Sequence, residues 1–418
     1  MSGLTRRPIA ALAAACILSA AAPNLSFAGP NTANHASRDA PRAAARPAER
    51  AAFTAADLAA ARPAGLTQSL RVAGDDPTAF QALIDDAPAA SDPWLVLSGG
   101  GEDGAFAAGI LAGWSEAGTR PDFGVITGVS TGALIAPFAF VGQAGDGPLR
   151  EAYTTITAAD VFEFGGSDLA LTDTWPLKRR IDKAVTPELL QAVAAEHAKG
   201  RRLLVATTEI DSGRPVLWDM GAIATAAGPK GAEPRALGLF RAVVLASSAV
   251  PGVFPPVEVS ATLPDGRTIQ ELHADGGTTA PFYLAPKRAL TAALTGAQLL
   301  RIPARSVYVV VNNSTTPSFE MARRSTLSVL GRAMSAAIKA QLQDALALTG
   351  AFARREGLDL HVAEIDGRFK AVSPGPFDQR YMQALYAHGR ALARDGGAFA
   401  GSTGATVQGD APQTLARR

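Results

Sequence analysis

The stretch WLVLSGGGEDGAF, residues 94–106, decides how the rest of the chain is read. It runs from a short apolar segment into three consecutive glycines, two acids and a run with helical spacing. A strand that turns into a helix through glycines presents bare backbone amides at the helix start, where negative charge can be met. A nucleotide phosphate fits poorly there. No Lys-Ser/Thr pair follows the glycines, Glu102 and Asp103 would repel a polyanion, and GGGEDG is not the G-x-G-x-x-G of a dinucleotide loop.

Ser130 stands 31 residues after Gly99, in GVSTG (Gly128–Gly132), directly behind the strand-like FGVIT. The pattern G-x-S-x-G marks a nucleophile elbow, a sharp strand-to-helix turn that pushes a serine hydroxyl into the open. The separation matches one βαβ unit. Both glycine turns therefore belong at the carboxyl ends of adjacent parallel strands, where open α/β sheets bind ligands. A serine attacking a carbonyl needs N–H donors aimed at the developing oxyanion. Gly99, Gly100, Gly101 and Gly104 are the candidates for that loop.

The serine also needs a base. The five histidines, His35, His197, His273, His361 and His388, sit in no recognisable catalytic setting. Asp275 is the better candidate. It heads a D-G-G turn, with Gly276 and Gly277, in HADGGTTAPF after the strand-like TIQELHA.

Together GGGEDG, GVSTG and DGG resemble the patatin-like phospholipase family. ASSAVPGVFPPV (246–257) is similar to that family's proline-bearing block, and TTEIDSGRPVLWDMGAIA to its bacterial members. The resemblance spans about residues 94–394. It implies a three-layer α/β fold with a central, mainly parallel sheet and helices on both faces. It also implies lipid acyl hydrolysis through a Ser130–Asp275 dyad and an acyl-enzyme, with no cofactor or metal. One position departs from the family: Asp103 stands where a basic residue is usual, which leaves phospholipid preference open. Two other readings stay open as well. One is a Ser–Asp–His esterase acting on small soluble esters, in which His361 or His388 would be essential. The other is a catalytically silent, lipid-binding envelope protein.

Composition suits a globular protein with a sizeable core: 47% hydrophobic, 18% charged, net charge +1. This is not the basic footprint of a nucleic-acid binder, so the expected partner is an acyl-ester lipid, with peripheral membrane contact through it. Residues 1–28 carry Arg6 and Arg7, an apolar run and a small-x-small end, the pattern of a secretory signal cleaved after Ala28. Export, to the periplasm, is the expected location. The single cysteine, Cys16, lies in the apolar run, and lipoprotein anchoring there is the lesser alternative. Residues 29–65, rich in Ala, Pro and Arg, read as a disordered linker. A leading helical segment over 66–92, a catalytic domain over 93–395 and a disordered tail over 396–418 complete the division. The segment 162–180 is a candidate cap over the site, and LKRR within it a candidate headgroup contact. A long helix is expected from Phe319 to Arg355.

Overall fold

The computed structural model describes residues 50–400, apart from 67–69, 166–168, 317–318, 320, 323 and 325. The signal segment, Cys16, the linker up to residue 49 and the tail beyond 400 lie outside them.

Residues 50–65 depart from the linker expectation. Helix α1 (Ala55–Ala60) is closed by a capping box between Thr54 and Asp57. Arg50 makes a two-pronged ion pair with Asp211, at 2.7 and 2.9 Å. Strand β1 (Arg62–Pro63) adds to an edge of the main sheet, and Phe53 packs on a small cluster of Ala261, Leu263 and Ile269. Composition missed this because the ordering comes from unpaired backbone groups at a distant sheet edge, not from local apolar content. Strand β2 (Arg71–Ala73) and helix α2 (Pro77–Asp85) follow; α2 buries Phe80 and Ile84 and is capped by Asp76.

The decisive stretch forms strand β3 (Trp94–Leu97), a single 3-10 turn and helix α3 (Gly104–Glu116). Strand β4 (Val125–Gly128) and helix α4 (Thr131–Phe140) repeat the pattern. Pro137 lies inside α4, and the helix ends three residues later. Helix α5 (Asp146–Thr154), a hairpin of β5 (Glu163–Phe164) and β6 (Thr172–Asp173), and helices α6 (Trp175–Ala184) and α7 (Pro187–Ala198) lead to strands β7 (Arg202–Glu209) and β8 (Arg214–Asp219). Next come helices α8 (Met220–Ala226) and α9 (Pro234–Ser247) and strands β9 (Val257–Thr262) and β10 (Thr268–Asp275). Helix α10 (Lys287–Leu294), strand β11 (Ser306–Val311), helix α11 (Thr326–Glu356), strand β12 (Asp359–Glu364) and helix α12 (Gln379–Arg394) complete the described chain.

The main sheet is mixed. Its site-bearing centre is parallel, in the order β7-β4-β3-β11-β12, and antiparallel strands extend it beyond β7. Every residue of β3, β4 and β7 is buried, as expected where helices cover both faces. Alternation along β3 shows the layers: Leu95 and Leu97 join the core under α3, α4 and α9, while Trp94 and Val96 join the core under α2, α10 and α11. α12 lies along α3, with Gly109, Gly113 and Gly389 at the crossing. Helix α11 starts later than expected, at Thr326, and it buries Leu342 and Phe352 in its second half. The chain stays packed past Gly396, where Phe399 meets Trp114 with ring centroids 4.8 Å apart.

Candidate active site

Strand β7 brings the two halves of the site together. One edge of β7 pairs with β8 over Leu204–Glu209. The other edge is shared: β4 pairs with its first half, up to Gly128 opposite Val205, and β10 with its second, down to Asp275 opposite Thr207. The two strands approach each other end to end, so the residues leaving β4 meet the last residue of β10. The Ser130 hydroxyl donates to Asp275 Oδ2 at 2.6 Å, across 145 residues of chain.

Ser130 has φ +56° and ψ −123°, a conformation non-glycine residues rarely adopt and one that costs about 1–3 kcal/mol. The surroundings hold it there. Its N–H donates to Ser247 Oγ at 3.0 Å, and Ser247 in turn donates to the Ala206 carbonyl. Two residues on, a Cβ at Gly132 would stand 2.3 Å from the Leu97 carbonyl oxygen, so the elbow closes on β3 only with glycine there. Gly128 backs onto the Gly132 carbonyl in the same turn.

Asp275 is buried and its carboxylate is doubly held. Oδ2 accepts from Ser130 and Oδ1 from the Gly277 N–H at 2.7 Å, while its own N–H donates to the Ala249 carbonyl. Burial pushes its carboxyl up to about 6, against the opposing pull of those two bonds. Gly276 packs against the Ala206 carbonyl and lets the turn lie flat on β7.

The four loop glycines divide by what their amides do. The Gly99 N–H donates to the Pro281 carbonyl, and the Gly104 N–H to the carbonyls of Gly101 and Glu102. Among the described residues, no hydrogen bond occupies the N–H of Gly100 or Gly101. Both have positive φ, +155° and +60°, and both line the same cleft as Ser130 and Asp275. Gly104 instead allows close packing, since a Cβ there would strike Thr131 and Tyr153.

A family model for patatin-like phospholipases matches residues 95–286, the segment that carries the glycine loop, the elbow and the D-G-G turn. The chain carries a patatin-like phospholipase domain. The match supports lipid acyl hydrolysis as the general activity, and the family implies a lipid substrate. No curated protein matches the sequence. The structure is similar to the crystal structure of VipD from Legionella pneumophila, at 14% identity and a TM-score of 0.36, over 73% of this chain and 67% of that one.

The patatin-like domain opens into a cleft of about 1270 Å³. Its inner wall is apolar, built from Leu134 and Phe138 of α4, Leu149 of α5, Leu177 and Ile181 of α6 and Val244 of α9. Helix α6 therefore forms part of the wall, and the hairpin β5–β6 is tied to its first turn, where Trp175 Nε1 donates to Glu163 at 2.6 Å. In LKRR, Arg180 lines the cleft and pairs with Asp160, while Lys178 pairs with Asp182 outside it. Trp114 and Trp218 are core residues, and neither they nor Trp175 line the cleft.

Among the described residues no histidine lines the cleft. His361 stacks on Tyr308 at 4.5 Å, and His388 packs against Phe106 and Phe369. His273, two residues before Asp275, is fully buried, with its ring nitrogens bonded to Thr207 and Glu271 at 3.0 Å each. A Ser–Asp–His arrangement with His361 or His388 does not assemble.

Asp103, the residue that departs from the family pattern, is turned toward α12. Its carboxylate accepts from the Tyr381 hydroxyl at 2.7 Å, and burial, opposed by that bond, raises its carboxyl to about 7. Glu102 beside it is also pushed up by burial. Asp103 therefore need not stand fully charged in the cleft mouth at neutral pH. Sequence reasoning missed Asn312 and Tyr381, which touch the loop from afar, and Ser98, which directly precedes it. Ser247, Ser248 and Ala249 were legible only as part of the quoted proline-bearing block; all three contact the elbow or Asp275.

Proposed function

We propose that this domain hydrolyses lipid carboxylic esters through an acyl-Ser130 intermediate, with Asp275 as the general base and the Gly100 and Gly101 amides as the oxyanion hole. The observation that carries the reading is the 2.6 Å hydrogen bond from Ser130 to a buried carboxylate, beside an apolar cleft that Gly100 and Gly101 also line, with no hydrogen bond on their N–H groups among the described residues.

The chemistry follows from the parts. As Ser130 Oγ attacks the ester carbonyl, its proton passes to Asp275 Oδ2. A carboxyl raised to about 6 accepts it better than an ordinary one at about 3.9. The carbonyl oxygen, now an oxyanion, lies within reach of the two loop amides, each such donor being worth roughly 2.7–4 kcal/mol of barrier. Ser130 also sits at the N-terminus of α4, whose dipole favours negative charge there. The proton on Asp275 goes to the leaving alcohol as the tetrahedral adduct collapses. Water then attacks the acyl-serine, gives its proton to Asp275, and releases the fatty acid as the proton returns to Ser130. The apolar wall of α4, α5, α6 and α9 suits the acyl chain.

Contact with a lipid surface is part of the proposal. Val372, at the cleft mouth, is 83% exposed; Phe164, 71% exposed, packs on Phe162, which touches the cleft-lining Phe254. Large apolar groups left in water around a cleft mark an interaction surface. Export rests on residues 1–28 alone. The test is to incubate the protein with a bacterial phospholipid extract and quantify fatty acids and lysolipids, with Ser130→Ala as control. Release that disappears in the variant supports the proposal and identifies the bond cut. Release that persists in Ser130→Ala refutes the role of this serine.

A further inference from the structure

We propose that Asn312, which does not itself line the cleft, is the positioning residue of the glycine loop: it clamps the chain on both sides of Gly99–Gly101 and so aims the Gly100 and Gly101 amides. The inference rests on the oxyanion role proposed above for those amides.

Three glycines in a row form the least constrained backbone a chain can have. Oxyanion donors, by contrast, work by being fixed before the reaction starts, within roughly half an ångström of the productive geometry. Something outside the loop must therefore supply the rigidity. Register places Asn312 to do so. β11 pairs with β3 with Val310 opposite Leu97, so two residues further on Asn312 lies beside Gly99.

Asn312 is fully buried, and its backbone N–H and both side-chain polar atoms bond to the chain that flanks this loop. Its backbone N–H donates to Ser98 Oγ at 2.8 Å, and that hydroxyl donates to the Gly99 carbonyl at 2.7 Å. Its Nδ2 donates to the Ser98 carbonyl at 3.0 Å. On the far side of the glycines, its Oδ1 accepts from the Ala107 N–H, in the first turn of α3, at 3.1 Å. Its own carbonyl oxygen fills the space a Cβ at Gly100 would take, 1.9 Å from that position. One side chain thus ties the residue before the loop to the helix after it, and its backbone presses on the middle glycine.

Only a neutral amide satisfies both ends. A carboxylate would set an oxygen against the Ser98 carbonyl, and an apolar residue of similar size would leave that carbonyl and the Ala107 N–H without these partners in the interior.

The experiment compares full-length wild type with Asn312→Asp, Asn312→Ala and Ser98→Ala. Reactive Ser130 is titrated with a fluorophosphonate, and kcat and KM for a soluble 4-nitrophenyl acyl ester are expressed per titrated site. A loosened oxyanion loop lowers kcat and kcat/KM equally. The expected result is a fall of 10- to 100-fold in kcat per site at unchanged KM for both Asn312 variants, with a smaller fall in the same direction for Ser98→Ala. Unchanged kcat per site, with losses confined to the number of reactive sites or to the melting temperature, would overturn the proposal and leave Asn312 a stabilising residue only. Ser98→Ala removes one hydroxyl and keeps the test decisive where Asn312→Ala does not fold. A wild type without Ser130-dependent turnover would overturn the dyad reading itself, and the positioning role with it.

Discussion

Replacing Asp275 by asparagine should abolish ester hydrolysis and at the same time stabilise the fold, with a pH dependence that identifies the cause. Asp275 is 4% exposed, and burial lifts its carboxyl from 3.8 to about 6 despite the bonds from Ser130 and Gly277. A carboxyl raised in the folded state keeps its proton longer there than in the unfolded chain. Folding is therefore favoured at low pH, and that contribution is lost as pH rises from about 4 through about 6. The shift spans about two units at about 1.4 kcal/mol each, so the wild type gives up roughly 3 kcal/mol over this window. An asparagine carries no charge to bury. Its amide can still accept from Gly277 through oxygen and meet Ser130 through nitrogen. Urea unfolding of both proteins at matched ionic strength, from about pH 4 to about pH 8, measures the difference. The variant should gain on the wild type as pH rises and level off above about pH 7. A gap that stays constant with pH, or is widest at the acid end, refutes the argument that burial of this carboxylate is the source.

The same carboxyl sets the acid limb of the wild-type rate, expected near pH 6; a pH profile of kcat/KM with its limb at the ordinary value of about 3.9 would deny Asp275 the role of base. Gly132→Ala, whose Cβ would stand 2.3 Å from the Leu97 carbonyl oxygen, should lower both the melting temperature and the fluorophosphonate titre, and a normal titre would show that the elbow tolerates a side chain. Arg71 makes a bidentate pair with Glu271, which is fully buried. Burial opposes the charge on Glu271, but the Arg71 and His273 bonds outweigh it and hold the carboxyl at about 2. Arg71→Met strands that charge and should cost about 3–5 kcal/mol in denaturant unfolding at neutral pH. The wild-type advantage should shrink as pH falls from about 4.5 through about 2, as native Glu271 itself takes up a proton.

Much of the central fold was legible because its signals are local. WLVLS, FGVIT and RLLVATTEI are apolar runs of strand length, and they form β3, β4 and β7. Glycines mark where α3 and the elbow begin. The less legible pieces take their structure from partners far away in sequence. Residues 50–63 order on the β9 edge, and Phe399 docks on Trp114 and Tyr308. The start of α11 at Thr326, not Phe319, has no signal in helical spacing alone.

The sequence by itself singled out the side chains that the proposed chemistry would use, because GVSTG and DGG are each fixed by the backbone geometry of a few consecutive residues. What it left open was their meeting. Ser130 and Asp275 come within 2.6 Å because β4 and β10 share one edge of β7 end to end, a pairing set by sheet register. Which loop amides stay unengaged was decided in the same way. Pro281 takes the Gly99 N–H and the helix start takes that of Gly104, and a motif of four glycines cannot announce which of its donors the fold will use. The burial that raises Asp275 to about 6 is likewise a property of the assembled layers, since desolvation depends on everything packed around a group and not on its neighbours in the chain.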